Sequence, residues 1–278
     1  MPEGPEMYRM ARRLEAALGK EPLQEVWFAF AHLQRHAARL QGQALAGVAT
    51  RGKALLLQFA DGTTIYTHNQ LYGRWMFSPA DRRPDTKRSL RLALSTTTCS
   101  ALLYSASEIE IIAPGADSSH PFLARAGLDI LSSGADVETV RAWIERPAFA
   151  RRSLGGLLLD QAFLAGVGNY LRSEILFVAG LPSGARIGTL APEQRDRLVA
   201  AAHTLMWRSV ETGGITNDPD RVAALKRAGW ARRDYRHFVF GREGQACLIC
   251  DRPIERMVVA RRRLYRCAHC QTTPAPAD

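Results

Sequence analysis

The sequence predicts a multidomain α+β protein. An N-terminal β-sandwich, or alternatively a flattened barrel, opens with one helix, and a helical domain follows that closes in a four-cysteine zinc β-hairpin. Three observations carry this expectation. Hydrophobic spacing changes from strand-like to helix-like near Gly127, and four cysteines stand at Cys247, Cys250, Cys267 and Cys270. The positive charge is gathered at one end: of a formal net +10, a net +8 lies from Arg221 onward, where 13 Lys and Arg face 5 Asp and Glu. That concentration suits a polyanion partner better than a uniformly solvated surface. A chain of 278 residues also fits two domains more readily than one.

The elements follow in order. Residues 5–18 carry Met7, Met10, Ala11, Leu14 and Leu18 at helical spacing, with Gly4 able to cap, Pro5 in the first turn and Gly19 as a stop. Strand patterns then run over 23–112. Residues 54–59 and 63–66 flank Asp61-Gly62 as a hairpin, and 90–94 and 100–104 form another pair. A Pro, Gly and Ser-bearing stretch, 113–121, marks a boundary. Beyond it, 137–144, 154–164, 170–178 and 192–211 have helical texture, and 213–220 reads as a flexible connection. From about Phe238 the chain forms the cysteine hairpin.

The first residues, Met1-Pro2-Glu3-Gly4-Pro5-Glu6, hold the most chemistry. Removal of Met1 would leave Pro2 as a secondary amine, and α-amino groups titrate near ~7.7–8.0. An unprotonated amine attacks carbon, and the carboxylate of Glu3 would shuttle protons beside it. A helix N-terminus next to Pro2 disfavours the ammonium form. The plainer alternative is that these residues only start a helix.

The C-x2-C-x16-C-x2-C spacing of Cys247, Cys250, Cys267 and Cys270 describes one closed tetrathiolate site for a structural zinc. His269 is a bystander in the second knuckle, and Cys99 is a partly buried strand or turn thiol. Between the cysteine pairs, Arg261-Arg262-Arg263 reads as a phosphate contact or as a solvated charge run. Asn169 follows a double-glycine turn, where it would cap a helix or grip phosphate. Lys53 opens a strand. The segment His68-Asn69-Gln70-Leu71-Tyr72-Gly73 is an ordinary loop or a wedge for a base stack.

Taken together, these motifs resemble the bacterial Fpg/Nei DNA glycosylases, in their endonuclease VIII branch. The likeness covers the first six residues, Arg51-Gly52-Lys53-Ala54-Leu55-Leu56, the 68–73 segment, His120-Pro121-Phe122-Leu123, 157–171 and the cysteine finger. Gly4 is typical of that branch, where the oxidised-purine branch usually has Leu. The resemblance implies a helix–two-turn–helix around Asn169 and catalysis by Pro2, Glu3, Lys53 and Arg262. It further implies DNA contacts by Gln70, Leu71, Tyr72, Arg125 and Asn169, with Glu6 and Glu174 supporting. The implied activity is excision of oxidised pyrimidines from damaged double-stranded DNA, followed by β,δ-elimination at the abasic site. Excision of oxidised purines, and a non-catalytic damaged-DNA-binding protein, are the alternatives. Residues 215–236 match no family motif.

The expected domains are 1–124 (catalytic sandwich), 125–220 (helix–two-turn–helix) and 221–278 (linker and finger), with DNA in the cleft between the lobes. No run of eighteen apolar residues and no signal-peptide core is present, so a cytoplasmic, nucleoid-associated monomer without membrane contact is expected.

Overall fold

The computed structural model describes residues 2–272. Two compact units emerge, one ending at Arg125 and the other beginning at Ala126.

The first unit opens with α1 (Gly4–Leu18), whose N-cap is Glu3 rather than Gly4; Gly19 ends it at φ +56. Met7, Ala11, Leu14 and Leu18 form its buried stripe, while Met10 is half-buried. One antiparallel sheet has the order β1 (Glu25–Phe28), β6 (Leu90–Ser95), β7 (Cys99–Tyr104), β5 (Arg74–Pro79). The other runs β2 (Leu45–Arg51), β3 (Ala54–Phe59), β4 (Thr64–His68), β8 (Glu108–Ile112). Leu55, Leu57, Phe59 and Ile65 from the second sheet share one core with Leu92, Leu94, Ala101 and Leu103 from the first, and α1 adds its stripe. This is the sandwich that the sequence predicts.

The outer face of the second sheet is covered as well: Ala54, Tyr66 and Ile112 pack with Phe122 and Leu123. Burial on both faces explains why Leu55-Leu56-Leu57 shows no alternation. The Asp61-Gly62 turn is present, with Phe59 N–H bonded to Thr63 O at 2.9 Å and Gly62 at φ +81. Two helices of four residues each, α2 (Ala31–Gln34) and α3 (Ala37–Leu40), interrupt the expected strand region, being too short to show a helical period. Cys99 is a half-buried strand thiol whose pKa burial pushes up. The unit closes with α4 (Pro121–Arg125).

In the second unit, β9 (Leu128–Asp129) pairs in parallel with β10 (Leu164–Ala165), and α5 (Val137–Ile144) lies between them in sequence. The helix expected over 154–164 stops early, as α6 (Leu154–Leu157). Local bonds take over there: Asp160 Oδ1 accepts the Ala162 N–H at 2.9 Å, and Gln161 Nε2 donates to Val167 O at 2.8 Å. Gly127 is required beside this turn, because a Cβ would lie 2.3 Å from Ala162 O. Then come α7 (Asn169–Val178) and α8 (Pro192–Thr212), the latter closed by left-handed Gly213 at φ +73.

The expected flexible connection is instead fixed. Thr216 and Asn217 are buried, and α9 (Pro219–Arg227) starts where the Asp218 carboxylate accepts the N–H groups of Asp220 and Arg221. A short α10 (Arg232–Tyr235) follows, then the hairpin of β11 (Glu255–Val259) and β12 (Arg262–Arg266). Among the described residues no helix is long and apolar enough to cross a membrane.

Candidate functional site

In the first unit, Pro2 is half-buried, one residue ahead of the N-cap. Glu3 is buried, and its own N–H donates to Glu6 Oε2 at 2.9 Å. Glu6 thus supplies the return half of a capping box and fixes the backbone that presents Pro2 and Glu3. Met1 lies outside the described residues.

Helix α1 packs on β2 and β3. Their connection is a two-residue turn between the paired Arg51 and Ala54, with Gly52 at φ +60. Glycine at the first position of such a turn sets the primed geometry that matches strand twist. Lys53 therefore sits at the hairpin tip and not within the strand. Its charge, together with burial as the larger cause, holds the His68 imidazole below its ordinary value, against the opposing pull of Glu108.

The 69–73 loop leaves the end of β4. The Gly73 N–H bonds to Asn69 O at 2.7 Å, and a Cβ on Gly73 would meet that oxygen at 2.6 Å, so only glycine closes the loop this tightly. Arg88 Nη1 holds Tyr72 O at 2.9 Å. Leu71 and Tyr72 project outward, 56% and 69% exposed. Their neighbour Gln70 is bonded through both ends of its amide, to Ser107 and Glu108. Arg125 ends α4, exposed, with Nε on Pro121 O at 2.9 Å.

In the second unit, the N-cap of α7 is Gly168, which corrects the expectation that Asn169 caps it. The Asn169 side chain reaches the cysteine hairpin instead, donating from Nδ2 to Arg263 O at 2.8 Å. Fully buried Arg172 completes this joint. It donates to Gly155 O (2.9 Å), Val259 O (3.1 Å), Asn169 Oδ1 (2.8 Å) and Arg263 O (3.1 Å). The hairpin turn that it grips is strained: Ala260 and Arg261 have φ +51 and +60, a conformation usually left to Gly or Asn. Arg261, Arg262 and Arg263 are exposed around it.

Glu174, two residues beyond Arg172 on α7, is fully buried. Its carboxylate accepts the N–H groups of Phe238 (2.8 Å), Val239 (2.9 Å) and Phe240 (2.9 Å), and the Thr216 hydroxyl. Burial raises its pKa, and these hydrogen bonds oppose the shift. Thr216 has one proton to give. With the carboxylate taking it, His237 Nδ1–H donates to Thr216 Oγ1 at 2.9 Å, consistent with burial keeping that imidazole neutral.

The cysteine sulfurs lie within 4.8 Å of one another, with Cys250–Cys267, Cys250–Cys270 and Cys247–Cys270 at 3.4, 3.5 and 3.9 Å. A tetrahedron with metal–sulfur bonds of ~2.3 Å needs sulfurs about 3.8 Å apart, and a disulfide needs ~2.05 Å. The donor set therefore fits a four-coordinate metal ion. The first knuckle is braced by buried Arg242, which bonds Phe238 O (2.7 Å) and Ala246 O (2.9 Å); the second by Gln271, which links Cys267 N to Leu181 O. His269 is exposed and outside this group. Sequence reasoning overlooked Arg172, Ser107 and Glu108. An arginine set among Tyr170, Leu171 and Ile175 was a usable signal for the first, whereas Glu108 is 38 residues from Gln70 and gave none.

Comparison with known proteins agrees over both units. Residues 1–106 match the formamidopyrimidine-DNA glycosylase N-terminal domain, and residues 127–220 match the H2TH domain of the same enzymes. The chain is 44% identical to endonuclease 8 of Enterobacter sp. (strain 638) over 98% of its own length and all of that protein, and equally so to endonuclease 8 of Klebsiella pneumoniae. The crystal structure of the MutM (Fpg) protein from Thermus thermophilus superposes with a TM-score of 0.75 at 29% identity, covering 97% of this chain and 98% of that one. Lactococcus lactis formamidopyrimidine DNA glycosylase bound to DNA with an abasic site shares the fold at a TM-score of 0.77 and 19% identity, over 98% and 100% of the two chains. With the glycine-closed loop, the four-cysteine cluster and both domain matches in one chain, the protein belongs to the formamidopyrimidine-DNA glycosylase family.

Proposed function

We propose that the protein is a base-excision-repair DNA glycosylase with abasic-site lyase activity, which acts on oxidised pyrimidines in damaged duplex DNA through a Schiff base on Pro2. One observation carries this reading: a chain aligned end to end with endonuclease 8 proteins has Pro2 just ahead of a capped helix, beside a buried carboxylate.

The chemistry follows from those residues. Once amino-terminal, Pro2 has a nitrogen that is partly unprotonated at neutral pH, and the positive end of α1 favours the neutral form. It attacks the sugar C1′ of a nucleotide flipped out of the duplex, and the bond to the damaged base breaks. Glu3, shielded from bulk water, takes the proton that the attacking Pro2 nitrogen sheds and relays it to the ring oxygen as the sugar opens. The iminium acidifies the C2′ proton, so elimination releases the phosphates on the two sides in turn. Lys53, at its hairpin tip, neutralises a phosphate and assists proton transfer. Arg262, beside the strained turn, holds the lesion phosphates for the second elimination.

Gln70, Leu71, Tyr72, Arg125 and Asn169 contact the duplex, and Glu6 and Glu174 support the elements that carry the reacting groups. Cys247, Cys250, Cys267 and Cys270 would hold one structural zinc ion, which fixes the hairpin and takes no part in the chemistry. Endonuclease 8 relatives and Gly4 both favour pyrimidine over purine lesions.

The test is borohydride reduction during incubation with abasic DNA. The protein leaves a covalent adduct, which disappears in Pro2→Gly or when Met1 is retained; no adduct from unmodified protein refutes the reading. Cleavage of duplexes bearing thymine glycol or 8-oxoguanine then decides base preference, with thymine glycol the faster.

A further inference from the structure

Gln70 is the one residue of the 69–73 loop with a left-handed backbone and a side chain, at φ +46. A non-glycine residue persists there only where its surroundings over-determine it. Three bonds do so. Its N–H donates to His68 Nδ1 at 3.2 Å, its Nε2 donates to Glu108 Oε2 at 2.6 Å, and its Oε1 accepts from Ser107 Oγ at 2.8 Å. The amide orientation is fixed by chemistry, because a carboxylate only accepts.

Glu108 is itself anchored. It pairs with His68 in the β4–β8 register, and its Oε1 accepts the Tyr66 hydroxyl at 3.1 Å. The 3.9 Å approach of His68 Nδ1 to Glu108 is not an ion pair, since that nitrogen already accepts the Gln70 N–H. Charge sharpens the point. A carboxylate beside a surface that binds a polyanion is unfavourable. Its presence calls for a task, and both of its oxygens are engaged in holding protein groups.

We propose that Ser107 and Glu108 are positioning residues that clamp Gln70 to the end of β8, so that Leu71 and Tyr72 stand as a preformed wedge before DNA arrives. A wedge pushed into a base stack must not yield, and ordering it beforehand removes that cost from binding. The clamp rests on the duplex-binding reading above, yet it is read separately from the chemistry.

The measurement is a double-mutant cycle in equilibrium binding to a duplex carrying a tetrahydrofuran abasic analogue. Ser107→Ala and Glu108→Ala are each made alone and with Gln70→Ala. Ser107→Ala removes only the bond to Gln70, so it stays informative if Glu108→Ala also disturbs Tyr66. Each single change weakens binding about threefold to tenfold, the span of one net hydrogen bond. Neither weakens it further once Gln70 is alanine. In steady state on a lesion duplex the loss falls in KM and kcat holds within about twofold. Losses that multiply with Gln70→Ala, no loss at all, or tighter binding by Glu108→Ala overturn the clamp. A missing borohydride adduct in the unmodified protein overturns the catalytic reading alone.

Discussion

Replacing Glu174 tests how the segment leading to the cysteine hairpin is held. Its carboxylate receives three backbone N–H groups, from Phe238, Val239 and Phe240, and the Thr216 hydroxyl, in a fully buried position. In Glu174→Ala the hydroxyl turns to Arg236 O, which lies at 3.2 Å, and the three amides lose their acceptor. Each buried orphan donor costs about 1–3 kcal/mol, and water entering the vacated space recovers part of it, so a loss of ~3–5 kcal/mol is expected. Glu174→Gln is gentler. Its oxygen serves Val239 and Phe240, its NH2 group donates to Thr216, and only the Phe238 N–H is orphaned, for ~1–3 kcal/mol. Urea unfolding at neutral pH, followed by tryptophan fluorescence, measures both. The order Ala worse than Gln, with Ala beyond ~3 kcal/mol, is the expected result. Equal losses, or a loss below ~1 kcal/mol for Ala, refute the account, since the carboxylate would then not be what orders residues 238–240.

Gly73→Ala forces a Cβ to 2.6 Å from Asn69 O, so the loop must open, and duplex binding should fall at least tenfold with ~1–3 kcal/mol lost on thermal unfolding; unchanged binding removes the argument for a preset loop. Chelation at pH 7 should release one zinc per chain to a colorimetric indicator and abolish DNA binding, and readdition should restore it; binding that survives full metal loss contradicts a structural ion. Buried His237 stays neutral in the folded protein, whereas in the unfolded chain it gains a proton near pH ~6.5. Its contribution is therefore complete above that pH and is lost as pH falls below it, at up to ~1.4 kcal/mol per unit. Unfolding at several pH values between 6.5 and 5 should show a shallower slope for His237→Phe, which keeps the ring stack on Tyr170; identical slopes refute it.

Local signals made much of this protein legible. Asp61-Gly62, the spacing in α1 and the stop at Gly19 are decided by neighbours a few residues apart, and the structure bears them out. The cysteine pairs were readable for the same reason, since each knuckle is a local turn and the metal-ligand chemistry admits few partners. Where the reading strayed, a local preference met a stronger local or distant bond. The 154–164 helix ends at Leu157 because Asp160 and Gln161 bond nearby backbone. Residues 216–220 are fixed because Glu174, 42 positions from Thr216, waits in a buried helix.

By itself the sequence determined the two textures, the four-cysteine set and the family, all of which rest on residue type and short-range spacing. Only the tertiary structure decided that Asn169 reaches the hairpin rather than capping its helix, that Arg172 grips a strained turn, and that Ser107 and Glu108 hold Gln70. Those facts depend on which buried donor meets which acceptor across tens of residues, and no periodicity records a hydrogen bond that exists only once the chain has closed on itself.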